Sequence, residues 1–334
     1  MPRPTILLVA INSRETASFL PDNLREQVES LADRVVWFDP TDTDPETWLR
    51  TLQEVNPEVL IGCWSTPALP PELPSRLRYV CYLAGSVRKI LTRRHVENGL
   101  VVTDWGNSIS LFIAEAALLH ILSCLRRVPY WVREMHERQG WKTPTSPTAT
   151  LFERRVGIHG FGRIAKEFVK LLAPFRCPIS VYAPDVNAEN APALGVQASH
   201  SLDALFEDND IVVELAPLND ETRGAVTEKH LRLLSPGNVF VNVGRAGTVD
   251  EAGLLKVAAE GEVLFGLDVF HQEPLAADSP LRGLTNVCLS PHNAGPTTDG
   301  RSAAGAFAVR NLQAYHDETS LLSVITPEIY DRST

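Results

Sequence analysis

The sequence predicts an α/β protein with two domains, each built around a parallel β-sheet, and three observations lead to this prediction. A chain of 334 residues is too long for one ordinary core and fits two domains. Short apolar runs alternate with amphipathic segments along most of the chain. The runs are continuously apolar, which is typical of parallel strands that are covered on both faces.

The apolar runs fall into two series, separated by a helical stretch. The first series is Ile6–Ile11, Val35–Phe38, Val59–Cys63, Tyr79–Leu83 and Val101–Thr103. A broad apolar face between Ile109 and Leu122 then predicts a long helix, followed by a loop at 142–150 rich in Thr, Pro and Ser. The second series is Val156–His159, Ile179–Tyr182, Ile211–Leu215, Val239–Val243, Val263–Leu267 and Val287–Leu289. Six such runs fit a doubly wound sheet.

The composition excludes several classes of protein. Hydrophobic residues at 44% and charged residues at 22% argue against both disorder and a membrane protein. The formal charge of -10 argues against nucleic acid and anionic lipid as partners, since both reward a basic face. No apolar stretch is long enough for a signal-peptide core or a membrane span, so we expect neither a leader nor a membrane anchor.

The five cysteines are scattered, odd in number and without a C-x-x-C pair. This pattern argues against a disulfide framework and against a zinc site, so no metal is expected and a reducing cytoplasm fits best. Any of the thiols could be a nucleophile in principle, but burial in the core is the favoured interpretation.

A glycine-rich turn follows the first strand of the second series. Gly160-Phe161-Gly162-Arg163-Ile164-Ala165 comes directly after Val156–His159 and opens an amphipathic helix. In this G-x-G-x-x-A pattern Gly160 permits the tight turn, Gly162 lets a pyrophosphate approach the backbone, and Ala165 permits close packing. The helix N-terminus offers N–H groups to phosphates. The alternative is a tight strand-to-helix turn in an α/β protein that binds no dinucleotide.

The residue that would bind the adenosine ribose is missing from its usual place. A carboxylate commonly ends the next strand, but Ile179–Tyr182 is followed by Ala183, Pro184 and then Asp185. The choice between NAD and NADP therefore stays open. No Arg or Lys follows the strand to hold a 2′-phosphate, and Asp185 would repel one, which favours NAD.

Over nearly its whole length the chain resembles the D-isomer-specific 2-hydroxyacid dehydrogenases, which include D-lactate, D-glycerate and D-3-phosphoglycerate dehydrogenases and hydroxypyruvate reductases. The resemblance is carried by the segments Gly160–Ala165, Pro217-Leu218 with Thr222, Asn242–Gly247, Asp268–Phe270, Glu273-Pro274 and Pro291-His292. Arg245 precedes Glu273 by 28 residues, and Glu273 precedes His292 by 19. The resemblance implies transfer of a hydride between NAD(H) and a small D-2-hydroxy acid/2-oxo acid pair.

The resemblance makes Arg245, Glu273 and His292 the catalytic residues. His292 can protonate the developing alkoxide and take the proton back in the reverse direction. Glu273 would pair with His292, fix its tautomer and favour its charged form. Arg245 can bind the substrate carboxylate and stabilise charge on the carbonyl oxygen. Taken singly, each of these residue types is usually a solvated or structural group.

The resemblance also implies the residues that bind cofactor and substrate. The expected cofactor contacts are Gly160, Gly162, Arg163, Ile164, Ala216, Pro217, Thr222, Val243, Asp268, Ala294 and Gly295. Asp268 is expected near the nicotinamide carboxamide, whereas Ala216, Val243 and Ala294 could equally be plain packing residues. Substrate would also meet the loop residues Ala84, Gly85 and Ser86, although this loop departs from the family's usual Gly-rich sequence.

The family's architecture implies a Rossmann-type cofactor domain at 104–296 and a discontinuous, flavodoxin-like substrate domain at 1–103 and 297–334, with the active-site cleft between them. A homodimer is the family expectation. Its candidate surface is the segment Ala114–Trp131 with the loop after it, and burial of that apolar face within the helix core is the alternative. The substrate side chain would meet a pocket that includes Trp64, Tyr82, Trp105 and Trp141, which leaves glyoxylate, hydroxypyruvate and bulkier 2-oxo acids open.

Two other functions use the same scaffold. NAD(H)-sensing corepressors keep the dinucleotide site, but the complete set of Arg245, Glu273 and His292 favours an enzyme. Formate-type dehydrogenases need no proton transfer and carry Gln where this chain has Glu273.

Overall fold

The computed structural model describes residues 6–332 and divides into two compact units. One unit is formed by the chain up to Ile109 together with the chain from Pro296 onwards, and the other runs from Ser110 to Gly295. The sequence placed the divisions at 103/104 and 296/297. The predicted outer limits, residues 1 and 334, lie outside the described residues.

The first unit contains a five-stranded parallel sheet with the order β2-β1-β3-β4-β5. Its strands are β1 (Ile6–Ala10), β2 (Arg34–Phe38), β3 (Val59–Gly62), β4 (Tyr79–Tyr82) and β5 (Val101–Thr103). All residues of β3 and β4 are buried, as continuous apolar runs require in a sheet covered on both faces. This strand order is the flavodoxin-like order of doubly wound sheets.

The described part of this first unit contains the α-helices α1 (Ser13–Phe19), α2 (Asp22–Ser30), α3 (Pro45–Val55), α4 (Arg93–Glu97), α11 (Arg301–His316) and α12 (Pro327–Arg332). Local sequence fixes where two of them begin. The Asn12 side chain caps α1 by accepting from the Glu15 N–H, and Asp44 caps α3 ahead of Pro45 at its first position. Helix α11, which follows the second unit in sequence, packs on β4, so a late segment of the chain completes the domain that the early segments begin.

The second unit contains a seven-stranded parallel sheet with the order β12-β11-β10-β9-β6-β7-β8. Its strands are β6 (Val156–His159), β7 (Ile179–Tyr182), β8 (Gln197–Ala198), β9 (Ile211–Glu214), β10 (Val239–Asn242), β11 (Leu264–Leu267) and β12 (Val287–Leu289). The order reverses between β6 and β9, which makes their carboxyl ends the topological switch point where ligands bind such sheets. The two-residue edge strand β8 is the one strand here that the sequence did not predict.

The helices of this second unit are α5 (Ser110–Leu125), α6 (Val128–Glu137), α7 (Arg163–Leu172), α8 (Leu202–Glu207), α9 (Glu228–Leu231) and α10 (Glu251–Glu260). Helix α5 packs on α7 and across β10, β11 and β12. Its buried face includes Ala114, Ala117, Ile121 and also His120. The predicted fold class, two α/β units on parallel sheets, is confirmed.

Candidate active site

The predicted catalytic residues follow three neighbouring strands of the second unit. Arg245 comes three residues after β10, Glu273 lies in the loop after β11, and His292 comes three residues after β12. Because these strands are parallel and adjacent, their carboxyl ends share one edge of the sheet. The topology therefore brings together three residues that are far apart in sequence.

Glu273 and His292 form a direct pair. The Nδ1–H of His292 donates to Glu273 Oε2 at 2.7 Å, and Glu273 Oε1 accepts the Phe270 N–H at 3.0 Å. The carboxylate is thus held by the loop that carries it, and it fixes the imidazole so that Nε2 is the nitrogen left for a substrate. The pair is partly exposed, with side-chain exposures of 47% for His292 and 36% for Glu273, so a molecule can reach it.

The backbone around His292 is unusual. His292 has a φ of +51°, in the left-handed region that few residues other than glycine adopt. Such conformations persist when surrounding contacts hold them, and they cluster at functional sites. The contacts here come from Asp268, whose Oδ1 and Oδ2 accept the N–H groups of Asn293 and Ala294, each at 2.9 Å.

Arg245 is held in a turn that its own main chain helps to close. Its carbonyl accepts from Asn242 Nδ2 at 3.0 Å and from the Thr248 hydroxyl at 2.8 Å, while its Nη1 donates to the Gly244 carbonyl at 2.8 Å. Burial lowers the pKa of Arg245, and the charge of Glu273 opposes that shift. A guanidinium titrates so far above neutrality that it stays charged, and a half-buried cation of this kind is suited to bind a carboxylate.

The glycine turn between β6 and α7 fits a dinucleotide. Gly160 has a φ of +85°, and a Cβ there would lie 2.6 Å from Ala216 Cα, so glycine is required on both counts. At Gly162 an added Cβ would meet nothing within 4 Å, which leaves open space at the start of α7. No side chain caps this ten-residue helix, so its first N–H groups can serve a pyrophosphate.

The other predicted cofactor residues also lie at this edge of the second sheet. Ala216, Val243 and Ala294 are buried, and Pro217 is exposed. Arg163 and Ile164 are the first two residues of α7, and Gly295 is the last residue of the second unit. The hydroxyl of Thr222 donates to the Pro217 carbonyl and accepts from the Asn219 N–H at 2.9 Å. Thr222 therefore closes the loop after β9, and its contact with the cofactor stays a prediction.

The end of β7 carries no carboxylate, as the sequence indicates. Tyr182 is exposed there, Ala183 is buried, and the carbonyl of Asp185 accepts from Asn190 Nδ2 at 2.8 Å. A different carboxylate lies beneath the glycine turn. Glu214 is fully buried, accepts from His159 Nδ1 at 2.6 Å and from the Ala216 N–H at 2.9 Å, and so ties the end of β9 to the end of β6.

The predicted substrate loop belongs to the first unit. Ala84 is buried, Gly85 and Ser86 are partly exposed, and the Ala84 carbonyl accepts the Trp105 N–H at 3.3 Å. Trp64 packs edge-on against Trp105 at 6.0 Å between ring centroids, with the guanidinium of Arg301 5.4 Å from the Trp64 ring. Of the other predicted pocket residues, Tyr82 is buried and Trp141 of the second unit is 72% exposed.

Between residues 6 and 332 no group of three or more His, Cys, Asp or Glu side chains is arranged to hold a metal ion. Cys63, Cys81 and Cys124 are buried free thiols, and burial raises the pKa of each, which makes them inert. None of the described helices combines the length and the apolar character that crossing a membrane would need.

Sequence reasoning missed four polar residues of the second unit: His120, Ser290, His159 and Glu214. His120 interrupts the apolar face of α5, and Glu214 ends an otherwise apolar strand. A polar residue in such a place needs a buried partner, and this was the available signal. The identity of the partner could not be read, because His120 and Ser290 are 170 residues apart.

Residues 118–294 match the family model described as D-isomer specific 2-hydroxyacid dehydrogenase, NAD binding domain. The chain is 32% identical over 256 residues to a glyoxylate/hydroxypyruvate reductase of Arabidopsis thaliana, covering 76% of this chain and 80% of that protein. A solved NADPH-dependent glyoxylate/hydroxypyruvate reductase from Sinorhizobium meliloti, in complex with citrate, is 25% identical with a TM-score of 0.74 and covers 99% of both chains. A glyoxylate reductase from Paecilomyes thermophila has a TM-score of 0.81 at 21% identity, covering 97% of this chain and 99% of its own.

Proposed function

The chain belongs to the D-isomer specific 2-hydroxyacid dehydrogenase family, and we propose that it reduces a small 2-oxo acid to the D-2-hydroxy acid with His292 as the general acid. The observation that carries this proposal is the 2.7 Å pair of His292 and Glu273 beside the half-buried Arg245. All three lie on the sheet whose glycine turn fits a dinucleotide.

The residues divide the chemistry among them. When bound, the reduced nicotinamide supplies the hydride that the carbonyl carbon accepts. Arg245 holds the substrate carboxylate and offsets the charge that grows on the carbonyl oxygen. His292 donates the proton from Nε2 to that oxygen, and the Nδ1–H···Glu273 bond stabilises the cation form that must be present before transfer. Asp268 keeps the backbone of Asn293 and Ala294, and hence the His292 side chain, in place.

The substrate class that we propose rests on the relatives. Two of the similar proteins are named glyoxylate/hydroxypyruvate reductases, so we favour glyoxylate and hydroxypyruvate over bulkier 2-oxo acids. The loop Ala84–Ser86 is proposed as the second anchor for the substrate carboxylate. NAD is proposed as the preferred cofactor because Asp185, exposed just after β7, would repel a 2′-phosphate and no Arg or Lys accompanies it.

A homodimer is proposed from one exposed apolar surface of the second unit. Leu119 on α5 is 62% exposed, and Val132 and Met135 on α6 are about half exposed, as is Leu111 at the start of α5. Helix α5 buries its other face in its own unit, so this exposed face is left for a partner. Light scattering at several protein concentrations checks the dimer, and a monomer at every concentration would refute it.

We also propose that the protein works in a reducing cytoplasm, since all five cysteines are free.

The proposal is tested by following oxidation of NADH and NADPH with a panel of 2-oxo acids. The variants are His292→Ala and, as a matched control, His200→Ala, which removes an exposed histidine that is distant from His292 in sequence. We expect turnover with glyoxylate or hydroxypyruvate that falls by about a hundredfold or more in His292→Ala and stays unchanged in His200→Ala. Tight NADH binding without turnover of any acid would contradict the proposal and indicate an NAD(H) sensor instead.

A further inference from the structure

We propose that His120, a buried histidine on α5, is a positioning residue that acts through Ser290 and Asp268 on the backbone that carries His292. The inference rests on the proposed function for its catalytic consequence. Its structural part concerns only residues of the second unit and can be tested without turnover.

A continuous chain of hydrogen bonds joins these residues. His120 Nε2 lies 2.8 Å from Ser290 Oγ, and the Ser290 hydroxyl donates to Asp268 Oδ1 at 2.5 Å. Asp268 Oδ1 also accepts the Asn293 N–H, and Oδ2 accepts the Ala294 N–H, each at 2.9 Å. The chain thus begins on a helix behind the sheet and ends on the two residues that follow His292.

The direction of the bonds follows from the chemistry of each group. Asp268, as a carboxylate, can only accept, so Ser290 must donate its single proton to it. Ser290 then accepts from His120, which requires a proton on His120 Nε2. His120 Nδ1 is buried and has no hydrogen-bond partner, as expected for the bare nitrogen of the neutral Nε2–H tautomer.

The surroundings of His120 keep it neutral and fixed. Burial lowers its pKa, and the charge of Asp268 opposes that shift. The side chain is 3% exposed, and its Cβ packs so closely on Gly266 of β11 that a Cβ at Gly266 would lie 2.7 Å away. If His120 only filled space, its replacement by leucine would cost packing but no hydrogen bond that matters to Asp268. If His120 positions Ser290, the same replacement removes the bond between them, so the two roles can be told apart.

Asp268 is the group that gains most from this arrangement. It is fully buried, and a buried carboxylate is costly unless its lone pairs are satisfied. Three of its roughly four acceptor positions are used by Ser290, Asn293 and Ala294. The remaining position on Oδ2 suits an amide N–H, such as that of the nicotinamide carboxamide. His120, by fixing the Ser290 proton, orients the carboxylate for both tasks.

The first test is amide hydrogen exchange in the cofactor-free protein, with the variants His120→Leu and His120→Gln. Gln can place an N–H donor where His120 Nε2 lies, whereas Leu cannot. We expect exchange at Asn293 and Ala294 to rise by about three- to tenfold in His120→Leu and to stay near wild type in His120→Gln. The matched control is Ile121→Ala, which opens a cavity at the next, fully buried position of α5 and removes none of the hydrogen bonds between His120 and Ala294.

The second test is NADH affinity, measured by fluorescence titration in His120→Leu, Ser290→Ala and the double variant. If His120 acts through Ser290, the double variant binds NADH as weakly as Ser290→Ala alone, because the single changes do not add. The tautomer gives a third readout, since the ¹⁵N signals of His120, identified by their loss in the variant, should report a proton on Nε2.

Three outcomes would overturn the proposal. They are unchanged exchange at Asn293 and Ala294 in His120→Leu, additive losses of NADH affinity in the double variant, and a proton found on His120 Nδ1. If the first outcome came with a lower melting temperature, His120 would be a packing residue only. A protein that binds NADH but reduces no 2-oxo acid would refute the proposed function while leaving the exchange result readable.

Discussion

Replacing Glu273 by Gln removes the negative charge of the catalytic pair and keeps the length of the side chain. The carboxylate of Glu273 accepts from His292 Nδ1 at 2.7 Å and from the Phe270 N–H at 3.0 Å. Gln keeps the length and one acceptor oxygen, so it can satisfy one of these donors but no longer offers a charge to the imidazolium. A hydrogen bond to a charged group contributes about 1.5–3 kcal/mol, which corresponds to a factor of about 10 to 150.

We therefore expect kcat of Glu273→Gln to fall by roughly 10- to 150-fold with little change in NADH affinity, since Glu273 acts through His292. The assay is steady-state oxidation of NADH with the best 2-oxo acid from the panel, together with fluorescence titration of NADH. Glu251→Gln is the matched control, because Glu251 is exposed in the first turn of α10. A kcat of Glu273→Gln within twofold of wild type would show that Glu273 does not assist proton transfer and that the pair is structural.

Three further predictions concern the cofactor turn, the buried histidine and cofactor choice. Gly160→Ala should lower the free energy of unfolding by about 2 kcal/mol or more, because Gly160 has a positive φ and an added Cβ would lie 2.6 Å from the backbone of Ala216. Gly162→Ala should keep the wild-type melting temperature but bind NADH more weakly. Equal melting temperatures for the two variants would contradict this. The pKa of His120 is lowered in the folded protein, so the unfolded chain takes up the proton first as the pH falls. The stability that neutral His120 confers is therefore present above about pH 6.5 and is lost as the pH falls below it. Between about pH 7.5 and pH 5.5 the melting temperature of His120→Leu should fall less than that of wild type, and parallel curves would be the contrary result. Asp185→Asn should improve NADPH relative to NADH by about two- to fivefold, the effect of one screened surface charge, and an unchanged ratio of kcat/KM values would remove Asp185 from the account.

Continuous apolar runs were sufficient to predict nearly every strand. The strands β3 and β4 are buried along their whole length and are apolar. The strands β6 and β9 are equally buried and are apolar up to their last residues, His159 and Glu214, which bond to each other. The edge strand β8 escaped prediction because Gln197-Ala198 is two residues long and half polar. Two residues are too few to show either an alternating or a continuous apolar pattern, so this strand carries little signal.

The candidate site was predictable to the extent that local sequence determines it. The glycine turn is a local motif, and the positive φ of Gly160 belongs to the turn itself, whereas the close approach of Ala216 comes from the loop after β9. The pair of Glu273 and His292 could be expected only from the family resemblance, and its 2.7 Å geometry depends on the alignment of β11 with β12. The chain from His120 to Asp268 could not be predicted, since it depends on how α5 packs across the sheet, which no local pattern encodes.

The proposed reaction adds a hydride to C2 of a 2-oxo acid and a proton from His292 to its carbonyl oxygen, which gives the D-hydroxy acid. Its most direct test is to incubate the protein with hydroxypyruvate and NADH that carries deuterium at the transferred position, and to analyse the product by mass spectrometry and chiral chromatography. Wild type should give D-glycerate with deuterium at C2, and His292→Ala should give little product. Unlabelled product, the L-isomer, or equal yield from His292→Ala would contradict the account.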